Sequence, residues 1–334
     1  DYRSEAARVR VDQAAISWNP LSLLSTRLSI TDLDIIGVQV EPLSPATPTE
    51  ATSLPAAPLI DFTPLPVIVD LASVSISQLV VQQPQQVFTV DTLTFSAFLQ
   101  QQTLELSVSD FSTAGFQFAG DLALVLDGNL PIDAELRWQF NEELYTDSGP
   151  ASGLLTLTGD LASLQLQHQL LEPYVVNSTG SLDTGLAGEV SGIDLTHRSN
   201  TLVVPQTALE NLALNDVALT TTGGLDLLQI ELTARIDSEL AQTATVEVNA
   251  DWQAGVLSLR NLQLATPTGQ LNAGGVVNIG DTVTGTLQYQ LTDSAPLDYV
   301  DSELPLEILN LSSSGVVDFS LLDSAPQGSL QLDE

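Results

Sequence analysis

The side chains best suited to acid–base or metal chemistry in this 334-residue chain are two histidines. His168 lies within "SLQLQHQL" and His197 within "DLTHRSN", and neither begins a known metal-ligand spacing. The chain has no cysteine, which excludes thiolate ligands and disulfides. Serine and threonine are plentiful, but no neighbouring base, nucleophile elbow or phosphate loop accompanies them. The sequence therefore predicts no catalytic residue, metal site or cofactor, and hence no enzyme.

The surroundings of the two histidines indicate structural roles. His168 falls on the apolar side of an alternating stretch, so we expect it to be partly buried. His197 sits in a polar stretch typical of a loop, where we expect it to be solvated. The acidic segment 141–145 leaves a calcium site open as an alternative, although it matches no EF-hand loop.

The charge balance restricts the possible partners. The chain carries 42 acidic and 8 basic residues, for a net charge of -34, while charged residues make up only 15% of it. Such a charge argues against nucleic acids and anionic membrane surfaces as electrostatic partners. The low charged fraction also argues against a disordered acidic tail.

The elements that position the side chains are predicted to be strands, because apolar and polar residues alternate with a period of two. Turn signals such as "DGNLP" and "TTGG" separate the alternating stretches, as in hairpin-connected antiparallel strands. The apolar sides of four such stretches are predicted to line one continuous apolar face: Leu104, Leu106 and Val108; Leu164, Leu166 and Leu170; Val246, Val248 and Trp252; Leu287, Tyr289 and Leu291.

The chain organisation follows from two interruptions of this pattern. Residues 42–66 are rich in proline, which predicts either a flexible linker or an extended crossover lying over the sheet. We therefore expect N-terminal strands over 1–41, the crossover over 42–66 and a repeating β segment over 67–334. Irregular repetition of short hairpin units favours an elongated sheet over one compact sandwich.

A second interruption occurs at "SWNPLSLLS". Pro20 is expected to start a short helical turn near residues 19–25. We expect its leucines to pack on the apolar face, with a tryptophan as the anchor, and so to plug the start of a groove. The residues of this plug are Trp18, Leu21, Leu23 and Leu24.

The N-terminal region contains a specific series of short motifs. They are Val11-Asp12, Trp18-Asn19-Pro20, Leu23-Leu24, Leu28 with Leu33, and Gly37-Val38-Gln39-Val40. With this series the chain resembles the TamB family, within the AsmA-like group of bacterial envelope proteins. The resemblance is specific over residues 7–82 and rests on strand cadence beyond them.

The resemblance implies a fold, a location and partners. The implied fold is a mainly antiparallel, curved sheet that forms a U-shaped apolar groove, or β-taco. The implied location is the periplasm, with an N-terminal anchor in the inner membrane that this chain does not include. Implied partners are phospholipid acyl chains and an outer-membrane barrel of the TamA type, the latter through regions not present in this chain.

Several functions are compatible with an elongated apolar sheet. The first is phospholipid transfer between inner and outer membranes, together with support for outer-membrane protein and autotransporter assembly. The second is a scaffold that holds outer-membrane protein strands by β-augmentation without conducting lipid. The third, an adhesin of stacked sandwiches, would need evenly sized repeats, and an outer-membrane barrel would need aromatic girdles.

Overall fold

The structure is a computed structural model that describes most of the chain. The described residues are 2–3, 7–42, 64–82, 87–140, 150–160, 162–184, 190–203, 213–237, 243–280, 282–293, 311–322 and 325–332. The chain divides into two units, which comprise Asp1–Pro173 with Asp183–Glu189, and Tyr174–Leu182 with Val190–Glu334.

The first unit contains a sheet in which consecutive strands pair with one another. Its strands are β1 (Tyr2–Arg3), β2 (Ala7–Asn19), β3 (Arg27–Pro42), β4 (Leu65–Gln82), β5 (Val87–Gln101), β6 (Thr103–Ser112), β7 (Phe116–Val125), β8 (Ile132–Phe140), β9 (Ala151–Gly159) and β10 (Ser163–Glu172).

One pairing in this unit is parallel, between β3 and β4, and the other described pairings are antiparallel. Parallel neighbours cannot be joined by a tight hairpin and need a long connection. Residues 43–64 supply the length of that connection. Most of the predicted proline-rich crossover (residues 43–63) lies outside the described residues.

The second unit continues with antiparallel pairs from β12 to β20. Its strands are β11 (Val176–Thr184, most of which belongs to this unit), β12 (Val190–Val203), β13 (Ala213–Gly224), β14 (Leu227–Asp237), β15 (Ala244–Gln253), β16 (Val256–Ala265), β17 (Gly269–Ile279), β18 (Val283–Asp293), β19 (Leu311–Leu322) and β20 (Ala325–Leu332).

The break in the pattern near residue 20 is a six-residue 3₁₀ helix, Pro20–Ser25. Asn19 caps its start by accepting a hydrogen bond from the Leu21 amide at 3.1 Å, and Pro20 occupies the first turn, where a missing N–H costs nothing. Thr26 ends the helix in the left-handed conformation, with φ of 54°. The structure thus confirms the all-β prediction, the predominance of antiparallel pairs and the short helical turn.

Two residues with positive φ keep the apolar residues of the long strands on one face. Gly37 in β3 has φ of 70°, and Gln78, at the matching position of β4, has φ of 57°. On either side of them the paired residues are apolar: Ile35 opposite Ile76, and Val38 opposite Leu79. Along each strand the two apolar residues are three positions apart rather than two. In a regular strand they would therefore point to opposite faces. The residue with positive φ in each strand takes up the extra position, so that both apolar residues of the strand point to the same face.

The buried core is small. Among the described residues, eight apolar residues are buried, and none of them carries a side chain larger than valine: Val74, Val90, Ala134, Ala151, Val217, Ala234, Ala244 and Ala250. No helix of the described residues is long and apolar enough to cross a membrane. The acidic segment 141–145 also lies outside the described residues. The predicted division at residues 41 and 66 stays a prediction.

Candidate apolar binding face

The predicted lining residues of the first unit lie on one face of its sheet. Residues directly opposite one another in paired strands point to the same side, so the register defines transverse rows. One row consists of Leu71, Ala97, Leu106, Leu122, Ala134, Leu157 and Leu166. The next consists of Leu99, Leu104, Leu124, Ile132, Gly159 and Leu164. Val108 belongs to a third row, which ends at His168, and Leu170 to a fourth.

The strands of the second unit show the same arrangement. The predicted residues fall into rows that cross β14 to β19, and each row is apolar along its length apart from glycines and one serine. The rows are Leu228, Trp252, Leu257, Val277, Gly285 and Phe319; Ile230, Ala250, Leu259, Gly275, Leu287 and Val317; Leu232, Val248, Leu262, Ala273, Tyr289 and Gly315; and Ala234, Val246, Leu264, Leu271, Leu291 and Ser313.

The larger aliphatic side chains of these rows are partly exposed, whereas Ala134, Ala234 and Ala250 are buried. Leu106, Leu166 and Leu287 are each half-buried, whereas leucine in a covered core is usually fully buried. The backbone groups beneath them are satisfied by the strand ladders. Each apolar face thus offers aliphatic surface over largely hydrogen-bonded backbone, which suits an aliphatic ligand.

An aromatic cluster that the sequence reasoning missed extends the face of the first unit. The rings of Phe111 and Phe118 stack at 4.5 Å, Phe116 and Phe140 lie 4.8 Å apart, and Trp138 meets Phe140 edge-on at 5.5 Å. The alternation in "FQF" and "RWQF" places these residues on the apolar side of β7 and β8. That signal could have identified them from the sequence.

Trp138 lies flat over a glycine and reaches His168. A Cβ atom on Gly153 would come within 2.7 Å of Trp138 Cζ2, so the indole occupies the space that a side chain there would need. Trp138 Nε1 donates a hydrogen bond to His168 Nε2 at 3.2 Å, and the two rings are nearly parallel, at 8°. Nε2 can accept only in the neutral tautomer that carries its proton on Nδ1. The prediction that His168 is a partly buried structural residue is confirmed.

The prediction that His197 is a solvated loop residue is wrong. It lies in β12, directly opposite Leu219 and therefore on the apolar face of the second unit. Its Nδ1 is 2.7 Å from the hydroxyl of Ser178, which is only 5% exposed. Burial disfavours the charged imidazolium and lowers the pKa of His197 below its ordinary value of 6.5. Most of the residues around it, in "DLTHRSN", are polar, so the alternation of this strand is not recognisable from the sequence.

The opposite face of the first unit is acidic. Asp70, Glu105, Asp121, Asp133 and Glu135 line a depression of about 610 Å³ on β4 to β8, together with Phe98 and Ala123. Arg27 forms an ion pair with Asp70, and its guanidinium carbon lies 6.0 Å from the ring centroid of Phe98. No group of three or more acidic or histidine side chains among the described residues is placed to hold a metal ion. The two faces of the sheet thus differ sharply in polarity.

The helical turn does not pack on the sheet as expected. Leu21 is 71% exposed, Leu24 87% and Leu23 49%, and Trp18 is 45% exposed. The six-residue 3₁₀ helix connects the paired ends of β2 and β3, and its leucines stay exposed there. The packing expectation is therefore corrected, while a role in closing a groove stays a prediction.

Substitution of Gly153 tests whether the position of the Trp138 indole depends on the absence of a side chain at residue 153. We expect Gly153→Ala to displace the indole from His168 and to lower stability by about 1–3 kcal/mol, as overpacking does. The measurements are the tryptophan emission spectrum and the thermal unfolding midpoint. Gly128→Ala is the matched control, because nothing lies within 4 Å of its Cβ position. Equal effects of the two substitutions would contradict this account.

The lowered pKa of His197 predicts a pH dependence of the second unit. Because the folded pKa lies below that of the unfolded chain, folding is favoured fully above pH 6.5, and this contribution is lost as the pH falls through the folded pKa. Proton NMR titration of His197 should give a midpoint below that measured for the same residue in urea. A midpoint at or above 6.5 in the folded chain would show that the ring is solvated.

The comparisons with known proteins agree with this architecture. The chain matches none of the curated proteins and none of the solved structures with which it was compared. The family model described as "TamB, N-terminal domain" matches residues 1–120 and 51–302, and so covers most of the chain. Together with the all-β fold, this match shows that the chain belongs to the TamB family.

Proposed function

We propose that the chain is a periplasmic segment that binds phospholipid acyl chains on its apolar faces and passes them between the inner and outer membranes. The observation that carries the proposal is the register: in each unit, aliphatic residues stand opposite one another across many strands and remain half-exposed. The function is passive and non-catalytic.

The family supplies the setting of this proposal. TamB proteins are envelope proteins anchored in the inner membrane, and they serve transport and assembly. The proposal extends to support of outer-membrane protein and autotransporter assembly, and to contact with a TamA-type barrel through other parts of the protein.

The energetics favour an acyl chain as the ligand. Burying each methylene group yields about 0.8 kcal/mol, so partial burial along several rows offsets much of the cost of leaving a membrane. Neighbouring strands are about 4.8 Å apart, so each row presents a further residue to the ligand at every such step across the sheet. A ligand can therefore move along the face without exposing its whole length to water. The headgroup would stay in water, since the rows contain few polar side chains.

A strand-holding scaffold is a second candidate, favoured by the open edge of β2. Among the described residues, β1 pairs with β2 only at Arg8 and Val9, and β2 runs on to Asn19. The unpaired edge beyond Val9 could accept an extended client strand by β-augmentation. This function would place a polypeptide, rather than lipid, against the protein.

Site-specific photo-crosslinking separates the two candidates. A crosslinker at Leu166 or Val248, on the apolar face, should capture phospholipid, because these side chains would lie against the acyl chain. The matched controls are the neighbours Gln165 and Glu247, which point to the other face of the same strands.

Mass spectrometry of the crosslinked chain provides the measurement. Capture of lipid at the control positions alone would overturn the acyl-chain proposal. Capture of polypeptide along β2, with no lipid at Leu166 or Val248, would favour the scaffold instead.

A further inference from the structure

The chain exposes several large apolar side chains near the connection between β2 and β3. Ile16 and Trp18 stand opposite Leu33 and Ile30 and so continue rows of the apolar face, whereas Leu21, Leu23 and Leu24 lie beyond the paired strands. We call residues 16–26 the apolar turn; it consists of the end of β2, the 3₁₀ helix and Thr26. Its large apolar side chains are the most exposed group in the first unit: Ile16 58%, Trp18 45%, Leu21 71%, Leu23 49% and Leu24 87%. Exposure of so many neighbouring apolar side chains indicates that something covers them.

The polar groups of the 3₁₀ helix are paired within the turn itself. The Leu21 amide donates to Asn19 Oδ1, the Ser22 hydroxyl donates to the Asn19 carbonyl at 2.6 Å, and the Ser25 hydroxyl donates to the Ser22 carbonyl at 2.8 Å. The Thr26 amide donates to the Leu23 carbonyl at 3.1 Å. Pro20 has no amide hydrogen to satisfy. The helix can therefore enter an apolar medium without leaving these groups unpaired.

The turn itself carries no charge. Residues 16–26 contain no charged side chain, although the chain carries a net charge of -34. Arg27 follows the turn directly and forms an ion pair with Asp70, and Arg10 pairs with Asp12 at 3.2 Å. The turn itself therefore adds no carboxylate that would repel a phosphate-bearing surface.

We propose that the apolar turn docks this chain on the surface of a phospholipid bilayer. Trp18 and the three leucines enter the boundary between headgroups and acyl chains, where tryptophan and leucine are favoured. Docking is hydrophobic rather than electrostatic, and so it agrees with the net negative charge. It is a separate function from acyl-chain binding by the sheet faces, and it does not depend on that binding.

Other occupants fit the turn less well. A client strand binds through free backbone groups, and the 3₁₀ helix has its amides and hydroxyls engaged internally. A second copy of the chain would bring two bodies of charge -34 together. A bilayer requires no shaped pocket, which suits side chains that project from one short turn.

A single fluorescent label tests the proposal directly, because the chain has no cysteine. Leu24→Cys in the full 334-residue chain would carry an environment-sensitive NBD dye. Adding phosphatidylcholine vesicles should shift its emission to the blue, and lipids with a nitroxide near the headgroup should quench it. The control is Leu225→Cys, which is also exposed, at 62%, but lies in the β13–β14 turn. Its emission should not change.

Two substitutions test the same surface without a label. Leu21→Ser combined with Leu24→Ser should lower co-sedimentation with the vesicles by about tenfold or more, since two side chains that would enter the bilayer are lost. Leu225→Ser should leave co-sedimentation unchanged, and circular dichroism should show that both variants keep their strands.

Several results would overturn the inference. They are an unshifted label at position 24 with vesicles, undiminished sedimentation of the double variant, or a blue shift without vesicles that grows with protein concentration, which would indicate a second copy. Lipid crosslinking at Leu166 would be unaffected by such results, so failure of this inference can be distinguished from failure of the proposed function.

Discussion

Cross-strand register is the constraint on which the rest of this structure depends. Side chains alternate between the two faces of a strand, so a slip of one residue would move every leucine of that strand to the acidic face. In the long strands the spacing of apolar residues changes in places from two to three. There a residue with positive φ takes up the extra position and keeps the apolar side chains on one face. Gly37 and Gln78 make this correction side by side in β3 and β4, so that Ile35 and Val38 remain on the same face as Ile76 and Leu79. Without this coordination, the apolar rows would end at the first irregular strand.

The apolar rows lower the hydrophobic contribution to stability, because their larger aliphatic side chains are left half-exposed. The buried core consists only of valine and alanine. Two features reduce that cost. Large rings lie flat over glycines on the next strand, as Trp138 does over Gly153 and Phe319 over Gly285, which covers apolar area without filling the space above the face. The reverse face carries carboxylates such as Glu105 and Asp121, which keep the chain in water while the apolar face is available to a ligand.

Much of this organisation could be predicted from the amino-acid sequence, because it depends on local alternation. The lining residues Leu106, Leu166, Val248 and Leu287 fall on apolar rows as the period of two requires. The 3₁₀ helix could be predicted as well, since Asn19 and Pro20 are local start signals. His197 was misplaced because its neighbours are polar, although the register sets it opposite Leu219. The contact of Trp138 with His168 crosses an intervening strand, and the exposure of Leu21 and Leu24 depends on where β2 ends. Neither can be predicted from spacing along the chain.

Native mass spectrometry of the purified 334-residue chain tests the central claim most directly, namely that the apolar faces bind phospholipid. The account predicts phospholipid adducts on the folded wild-type chain. It also predicts that these adducts are lost when aspartate replaces Leu106 and Leu287, and that they persist when aspartate replaces the outward-facing Gln165 and Glu247. A folded wild-type chain that carries no lipid, or adducts that survive the inward substitutions, would contradict it.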